Sequence, residues 1–376
     1  MAQSPEIALC VATYQRPRNL ALVLESIAAQ RGVDGKMEVV VTDDGSTDNT
    51  PEVVEAFRRR ASFPVKFITH PHITFQLARC RNEAVAAASS PYILILDGDC
   101  IVPPHHVATH LARRRRGVAI CGDAGRLDRA TSERVTEDTI RRGEFSGLLS
   151  AKERARLWGL GFKARLYNFL LHPRKPDRLN GGDFSIWRED YERVNGFDEN
   201  FCGWGWEDYD MGRRLRRAGV RLNSVLHWTC SYHVWHPVDV TKPAVPRNSR
   251  NADYRRRTWK LVRCRNGLVK RSLADIAVRI VGRTQRGRDV QKMIAGRIRP
   301  QSDSIRPEVE LLFLPGEGRF SGAADCNVLV ALEDSPDVAY RAHEAHLVVA
   351  AQPLVDAPEV LQFPLAQWDR ALEEVA

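Results

Sequence analysis

Apolar runs and amphipathic segments alternate along the first hundred residues of the chain. Short runs rich in β-branched residues and bounded by turn-forming residues predict buried strands, and they cover 7–12, 37–42, 65–69 and 92–96. Between the strands, apolar residues recur at helical spacing, which predicts helices over 19–30, 50–60 and 77–89. Strands and helices that alternate through short connections predict an α/β domain, with a mostly parallel sheet covered by helices on both faces.

The middle of the chain is less regular. Residues 129–175 are mixed and charged, with a partly helical pattern. Residues 179–219 are dense in glycine, tryptophan and acidic residues, and a helix is predicted over 207–218 with Gly219 as its cap. No internal repeat is visible in the sequence.

The charge divides the rest of the chain. Of a net charge of +9 over 376 residues, the segment 241–300 contributes +15 (18 Lys and Arg against 3 Asp and Glu), and 301–376 contributes −10 (4 against 14). We therefore expect a large α/β domain at 1–240, a basic linker with helical segments at 241–300, and a small acidic α/β unit at 301–376.

Composition indicates the cellular compartment in which the protein is expected. The eight cysteines are scattered without a C-x-x-C pair, which fits a reducing cytoplasm better than a disulfide framework or a zinc site. No apolar stretch approaches the length of a membrane span, and the N-terminus lacks a basic-then-apolar signal. These features predict a cytoplasmic protein, with attachment at the inner face of a membrane left open.

Two carboxylates follow the strand predicted at 92–96. Asp97 and Asp99 flank Gly98, which permits a tight turn. Ligands of α/β sheets bind beyond the carboxyl ends of the strands, and carboxylates at i and i+2 can converge on one hard cation that leaves positions open for diphosphate oxygens. An ordinary Asp-Gly turn is the competing interpretation, but the features that follow favour the cation.

Further charged residues lie near the same predicted edge. Asp43 and Asp44 end the second strand, where a carboxylate could accept a hydrogen bond from the N3–H of a uracil ring; a turn followed by a helix N-cap is the alternative. Arg79 and Arg81 begin the next helix, where arginine suits a nucleotide or a diphosphate. A solvated, salt-bridged face is the alternative for Arg79, and Arg81 is the better candidate for contact.

A second group of candidates lies at 203–208, where the sequence is Gly-Trp-Gly-Trp-Glu-Asp. Indoles flanked by glycines, such as Trp206, form a flat platform for the face of a sugar. The neighbouring Glu207 and Asp208 can bind a hydroxyl or remove its proton. Aromatic residues are more often core residues, but two tryptophans interleaved with glycines before adjacent acids favour a binding site.

Three histidines follow the predicted helix at 207–218. A neutral imidazole could complete the coordination of a cation already held by Asp99. We expect His233 to take this role in preference to His236 and His227, and a structural histidine is the alternative for each.

Together these motifs resemble the inverting family 2 glycosyltransferases of the GT-A fold. The resemblance covers about 5–240, and the block at 203–208 is similar to that of galactosyltransferase-type and chondroitin-polymerase-type members. The Q-x-x-R-W signature and the membrane helices of processive synthases are missing, so a processive polymer synthase is not expected. The segments that carry the resemblance are 11–17, 42–48, 78–82, 96–99, 180–182, 196–199, 203–208 and 233–237.

The resemblance implies a role for each matching residue. Asp208 corresponds to the catalytic base, with Glu207 beside it for the acceptor. Asp99 corresponds to the principal ligand of a Mn²⁺ or Mg²⁺ ion, with His233 as a later ligand and Asp97 near the ion and the donor ribose. The residues expected to bind the donor are Thr13, Arg16, Asp43, Asp44, Arg81, Asp97, Gly181, Gly182 and Trp206.

The implied reaction is a single displacement. A hydroxyl of a glycan or of a lipid-linked acceptor would attack the anomeric carbon of a nucleotide sugar, with a UDP-sugar favoured, and a hexose or N-acetylhexosamine would be transferred with inversion, as in polysaccharide biosynthesis. A sugar-nucleotide pyrophosphorylase would need a Gly-rich basic loop after the first strand, which 13–18 does not supply. A binding protein without activity is the other alternative, and the complete set of acids argues against it.

The basic segment 255–281 combines arginines with Trp259, Ile276, Ile280 and Val281. That combination suits a helix lying on an anionic membrane surface, where a lipid-linked acceptor would be found. A helix packed on the protein itself is an equal alternative. No recognition motif for nucleic acid is present, so no nucleic-acid partner is expected.

Overall fold

The structure is a computed structural model, and the chain divides into two compact units, Met1–Leu268 and Val269–Ala376. The residues that it describes are 4–72, 74–145, 147–170, 179–238, 242, 244–245, 249–270, 277–281, 299–300, 309–314, 318–321, 324, 326–332, 336–351 and 361–367.

The first unit alternates strands and helices along the chain. Its strands are β1 (Ile7–Thr13), β2 (Met37–Asp43), β3 (Val65–Thr69), β4 (Tyr92–Asp97), β5 (Cys100–Ile101), β6 (Val118–Cys121), β7 (Ala124–Arg126), β8 (Asp183–Trp187), β9 (Arg221–Ser224) and β10 (Ser231–His233). Its helices are α1 (Pro17–Ala28), α2 (Thr50–Arg60), α3 (Leu77–Ala87), α4 (His106–Arg113), α5 (Arg129–Arg134), α6 (Glu137–Arg141), α7 (Ala151–Leu170), α8 (Arg188–Arg193), α9 (Glu207–Arg217) and α10 (Arg250–Thr258).

The main sheet has seven strands in the order β3-β2-β1-β4-β8-β6-β9. Only β8 runs antiparallel to its two neighbours, so the mostly parallel α/β sheet predicted from the sequence is confirmed. The predicted strands and helices of the first hundred residues all form, with ends shifted by at most two residues. Their apolar runs are long enough, and punctuated clearly enough, to decide the element type from sequence.

Register brings the polar ends of three strands to one edge of the sheet. Thr13 of β1 pairs with Asp43 of β2, and Ala12 pairs with Asp97 of β4. The strands are fully buried up to that edge, with hydrophobic clusters on both sheet faces. Polar residues that follow the apolar runs of these strands therefore lie side by side at this edge, which places the predicted residues together.

A smaller sheet brings the histidines to the same edge. It has the order β5-β10-β7, and His233 of β10 pairs with Cys100 of β5. The amide of Val234 donates to the carbonyl oxygen of Asp99 at 2.8 Å. The backbone therefore ties the histidine segment directly to the turn that carries Asp99.

The basic segment is not helical throughout. Helix α10 forms within it, but Ile280 and Val281 lie in a strand, β11 (Ala277–Val281), where they pair with Leu311 and Leu312 of the second unit. Their β-branched character is used in a sheet and not on a helix face. The predicted Ile276 lies outside the described residues. No helix in the described part of the chain is both long enough and apolar enough to cross a membrane.

The second unit is a parallel sheet of six strands, in the order β12-β11-β13-β14-β15-β16. Its elements beyond β11 are β12 (Arg299–Pro300), β13 (Val309–Leu314), β14 (Cys326–Ala331), α11 (Pro336–Ala342), β15 (Leu347–Ala350), β16 (Leu361–Pro364) and a 3₁₀ turn (Leu365–Gln367). Strands β13 and β15 are buried along their length, as the apolar runs 311–314 and 347–350 predict.

Candidate functional site

A cleft of about 560 Å³ opens at the carboxyl ends of β1, β2 and β4. The residues that line it come from those strand ends and from the start of α3: Ala12, Thr13, Tyr14, Arg16, Asp44, Phe75, Leu77, Cys80, Asp97, Gly98 and Asp99. The turn at Gly98 is close to β1, since its amide donates to Ala12 O at 2.7 Å and an added Cβ would lie 2.8 Å from that oxygen. Only glycine fits this turn without displacing backbone.

Arg81 joins the two acidic motifs. Its Nη2 lies 3.0 Å from Asp97 Oδ1 and its Nη1 lies 2.8 Å from Asp208 Oδ1, while its side chain is only 1% exposed. Burial alone would lower the pKa of Arg81, but Asp208 and Asp97 raise it overall, so the guanidinium stays charged. One buried cation thus holds the carboxylate that ends β4 beside the carboxylate at the start of α9.

Two glycines form the wall next to this bridge. A Cβ added to Gly181 would overlap Asp208 Oδ1 and Arg81 Nη1, and one added to Gly182 would overlap Asp97 Oδ2. The backbone of this loop can approach the charged bridge only because it carries no side chains. The placement agrees with the prediction that Gly181 and Gly182 line a ligand pocket, although no described contact tests that role.

Asp99 lies between Arg16 and two histidines. Arg16 Nη1 is 3.0 Å from Asp99 Oδ2, His236 Nε2 is 3.1 Å from the same oxygen, and His233 Nε2 is 3.7 Å from Oδ1. Burial opposes ionisation of Asp99, but the hydrogen bond from His236 and the charges around it lower its pKa overall. The carboxylate is therefore ionised and ready to act as a ligand.

His236 is a site residue that sequence reasoning ranked below His233. The structure places its Nε2 closer to Asp99 than that of His233, and the two imidazole rings lie 4.9 Å apart. Strand alternation would put His236, three positions further on, on the opposite face from His233. The chain leaves β10 after His233, so a period of two no longer applies at His236.

The residues of this group fit a divalent cation. Nitrogen and oxygen atoms of Asp99, His233 and His236 all lie within 4.8 Å of one another. A carboxylate with imidazoles suits Mn²⁺ and other first-row metals. Asp97, the other predicted ligand, lies outside this group and has one oxygen engaged by Arg81, so it reaches an ion only through its second oxygen.

Of the two acids at the end of β2, Asp44 lines the cleft and Asp43 does not. Asp43 is fully buried, and its oxygens accept hydrogen bonds from Ser46 and from Thr69 Oγ1. Asp44 Oδ1 lies 2.9 Å from His70 Nε2, and its Oδ2 accepts from the amide of Gln76 at 3.0 Å. A carboxylate has about four lone-pair positions, so Asp44 can still accept a further donor from the cleft.

Residues 70–72 and 74–76 contribute to the site without having been singled out from the sequence. His72 stacks on Tyr14, with ring centroids 4.3 Å apart and ring planes 12° apart. Phe75 lines the cleft, and His70 holds Asp44 in place. The segment follows β3 at the same sheet edge, and that position was the one signal in the sequence that pointed to it.

Trp206 and Glu207 mark the start of α9. Trp206 has a left-handed backbone (φ 79°), which is rare for a large side chain and is found where surrounding structure enforces it. The guanidinium of Arg255 lies 4.3 Å from the Trp206 ring centre, so one face of the expected platform is covered. Burial, followed by the charge of Asp208, raises the pKa of Glu207 to about 8, and Glu207 Oε2 has no hydrogen-bond partner among the described residues.

Two other candidates lie away from the cleft. Arg79 pairs with Glu83 on the surface of α3, which is the salt-bridged role left open for it. His227 lies near Gly161 of α7 and contacts Trp228. Neither side chain joins the group around Asp99 in the described structure.

Two family models match consecutive parts of the chain. Residues 8–168 match glycosyl transferase family 2, and residues 169–237 match the N-terminal domain of galactosyltransferase. Together the matched segments contain every residue that lines the cleft and the group around Asp99, from Ala12 to His236.

Curated relatives are similar over the same region. Validoxylamine A glucosyltransferase of Streptomyces hygroscopicus subsp. limoneus is 28% identical over 242 residues, which cover 58% of this chain and 49% of the relative. Chondroitin synthase of Escherichia coli is 27% identical over 242 residues, which cover 60% of this chain and 34% of the relative. The matched region spans about half the length of the first relative and about a third of the second.

Two solved structures are similar to part of this chain. The mannosyltransferase PcManGT of Pyrobaculum calidifontis, solved with GDP-Man and Mn²⁺, has a TM-score of 0.42 and 18% identity, covering 68% of this chain and 62% of that one. TarS of S. aureus, residues 1–349 with UDP-GlcNAc, has a TM-score of 0.45 and 16% identity, covering 64% and 61%. Similarity at this level concerns the fold alone.

Proposed function

We propose that this chain, whose residues 8–168 match glycosyl transferase family 2, is a metal-dependent, inverting glycosyltransferase that uses a UDP-sugar. It moves a hexose or N-acetylhexosamine to a hydroxyl of a glycan or lipid-linked acceptor, as in polysaccharide assembly. The observation that carries the proposal is the bridge from Asp97 through Arg81 to Asp208, beside the group around Asp99. Relatives named as a glucosyltransferase and a chondroitin synthase support hexosyl transfer.

The nucleotide end of the donor fits the part of the cleft between β1 and α3. Tyr14, supported by its stack on His72, presents an aromatic ring for a base. Asp44 lies in the same wall with acceptor capacity left for the N3–H of a uracil. Thr13 Oγ1 is buried and has no hydrogen-bond partner among the described residues, so it can bond to a donor oxygen.

Asp99, His233 and His236 would hold the divalent cation, with Asp97 contributing its second oxygen. The bound ion supplies positive charge that neutralises the leaving nucleoside diphosphate. Arg16, 3.0 Å from Asp99, adds a guanidinium on the same side of the cleft, where it can bind a phosphate oxygen bidentately.

Of the two adjacent acids, Asp208 is the better base. Glu207, with a pKa of about 8, is largely protonated at neutral pH and cannot accept a proton. Asp208 Oδ1 is held by Arg81, which fixes the carboxylate and leaves Oδ2 to take the proton of the acceptor hydroxyl. Neutral Glu207 can instead donate a hydrogen bond to the acceptor. Proximity and charge stabilisation supply most of the acceleration.

The test compares Asp208→Asn with Glu207→Gln. Loss of a general base lowers turnover by about 10²–10⁴-fold, so we expect that loss in Asp208→Asn with donor binding unchanged. Glu207→Gln keeps a neutral hydrogen-bond donor at the position and is expected to stay within about tenfold of the wild type. Nucleoside diphosphate release gives the rate and calorimetry gives donor affinity. An Asp208→Asn variant as active as the wild type would remove Asp208 as the base.

A further inference from the structure

Helix α7 exposes an apolar stripe. Trp158, Phe162 and Leu166 lie at i, i+4 and i+8, so they share one face of the helix, and they are 68%, 48% and 39% exposed. The rings of Trp158 and Phe162 stack with centroids 5.4 Å apart and planes 11° apart. A contiguous exposed group of large apolar side chains marks an interaction surface.

The opposite face of the helix packs on the protein. Leu157 and Ala164 are buried, and Gly161 lies against Leu226, with an added Cβ 3.3 Å from the Leu226 Cβ. Glu153 accepts hydrogen bonds from the amide of Arg126 and from Arg156. Packing against the protein therefore fixes the orientation of α7, and the apolar stripe is the face that stays exposed to solvent.

Basic residues border the stripe on both sides. At 100° per residue, Arg154 and Arg165 fall on one side of Trp158, whereas Lys152 and Lys163 fall on the far side of Phe162 and Leu166. All four side chains are exposed. Among the described side chains of α7, 151–166, the single acid is Glu153, which belongs to the packed face.

We propose that this face of α7 binds the surface of an anionic lipid membrane. Aromatic and aliphatic side chains enter the boundary between headgroups and acyl chains, and lysines and arginines beside them are attracted to anionic headgroups. The exposed face of α7 is complementary to such a membrane in charge as well as in polarity, since it combines apolar residues with four cations and no acid. The binding surface is separate from the cleft residues and does not depend on which sugar is transferred.

The described residues of the helix in the basic segment predicted to contact a membrane do not form this combination. In α10, Tyr254 is buried and packs edge-on against Phe201. Arg255 lies over the ring of Trp206. Trp259 is exposed, but it lies beyond the last residue of the helix, and the guanidinium of Arg217 lies 5.1 Å from its ring centre. The structure therefore favours α7 over α10 as the membrane-binding element.

Flotation with vesicles tests the proposal on the full chain. Vesicles of phosphatidylcholine alone are compared with vesicles of phosphatidylcholine and phosphatidylglycerol in equal parts. The variants are Trp158→Ser/Phe162→Ser, which removes apolar contact, and Lys152→Glu/Lys163→Glu, which reverses charge without touching apolar residues. Trp259→Ser is the matched control, because it removes an exposed tryptophan from the alternative segment. Unchanged melting temperature establishes that a variant is folded.

We expect the wild type to float with the anionic vesicles, and its partition to fall about tenfold or more on neutral vesicles or at high salt. Both α7 variants should lose about tenfold or more in partition, and Trp259→Ser should bind as the wild type does. The proposal is wrong if the wild type does not float, if both α7 variants float unchanged, or if Trp259→Ser alone loses binding. It is also wrong if the wild type does not bind vesicles and is instead a dimer that the substitution Trp158→Ser/Phe162→Ser converts to monomers. Should the serine variant fail to fold, the charge-reversal variant decides the matter.

Discussion

Arg81 is the residue whose removal should most disturb the site. Its guanidinium is 1% exposed and contacts Asp97 and Asp208, which are themselves 31% and 27% exposed. Replacement by methionine keeps much of the volume, including contact with the ring of Phe197, 4.9 Å from the guanidinium carbon. The substitution therefore removes charge with little loss of packing, and leaves two carboxylates without their common partner.

The expected loss in the free energy of unfolding follows from the burial of this ion pair. Removing one partner of a buried ion pair costs about 3–5 kcal/mol because an uncompensated charge remains. Here the carboxylates keep partial contact with solvent, so the lower end applies, and we expect Arg81→Met to lower the free energy of unfolding by about 3 kcal/mol at pH 7. Arg79→Met is the matched control on the same helix. Its ion pair with Glu83 is about 30% exposed on both sides, so its loss should cost less than about 0.5 kcal/mol.

The loss of stability in Arg81→Met should depend on pH in a definite direction. Burial already raises the pKa of Asp97, and Arg81 opposes that shift. Without Arg81 the pKa rises further in the folded state, and a carboxyl group with a raised pKa contributes stability that is present at low pH and lost as pH rises. The difference between Arg81→Met and the wild type should therefore shrink from pH 7 to pH 5.

Urea unfolding followed by tryptophan fluorescence measures this effect in the first unit, because seven of the eight tryptophans precede residue 269. Equal midpoints for Arg81→Met and Arg79→Met at pH 7 would refute the reasoning. So would a deficit in Arg81→Met that grows as the pH falls.

Three further predictions concern the site and its surroundings. Gly181→Ala would force Asp208 and Arg81 apart and should lower turnover about tenfold to hundredfold. Gly147→Ala is the control, because an added Cβ there has nothing within 4 Å, and it should leave turnover unchanged. Equal turnover of the two variants would contradict the geometry. Burial raises the pKa of Asp198 from 3.8 to about 6. The stabilisation that Asp198 contributes to the folded state is therefore present below about pH 4 and is lost as the pH rises through 6. Asp198→Asn should flatten the fall in unfolding free energy between pH 4 and 7 by up to about 3 kcal/mol, and an unchanged pH profile from urea titrations would contradict this. His236→Ala should weaken Mn²⁺ binding about tenfold or more in a calorimetric titration, and unchanged affinity would exclude it as a ligand.

Sequence patterns predicted the sheet because the decisive forces there are local. The run 92–96 that forms most of β4 is apolar and includes the β-branched Ile93 and Ile95, and its alternation with helical segments indicates an α/β architecture. The end of each strand was readable too, since a charged residue such as Asp97 cannot continue a run buried on both faces.

The internal arrangement of the site was less accessible from the sequence. Arg81 meets Asp208 across 127 positions in the chain, and spacing carries no information at that range. His236 lies past the end of a short strand, where strand periodicity no longer applies. Ile280 and Val281 were assigned to a helix face because arginines surround them in sequence, whereas their β-branched character was the better guide to a strand.

The most direct test of the proposed activity is nucleoside diphosphate release from UDP-, dTDP- and GDP-sugars, measured with Mn²⁺ and with chelator. The account predicts metal-dependent turnover of one donor, with a UDP-sugar favoured, and loss of that turnover in Asp99→Ala. Absence of turnover, together with absence of metal-dependent binding of any of these nucleotides, would contradict it and indicate a protein that has kept the fold without the chemistry.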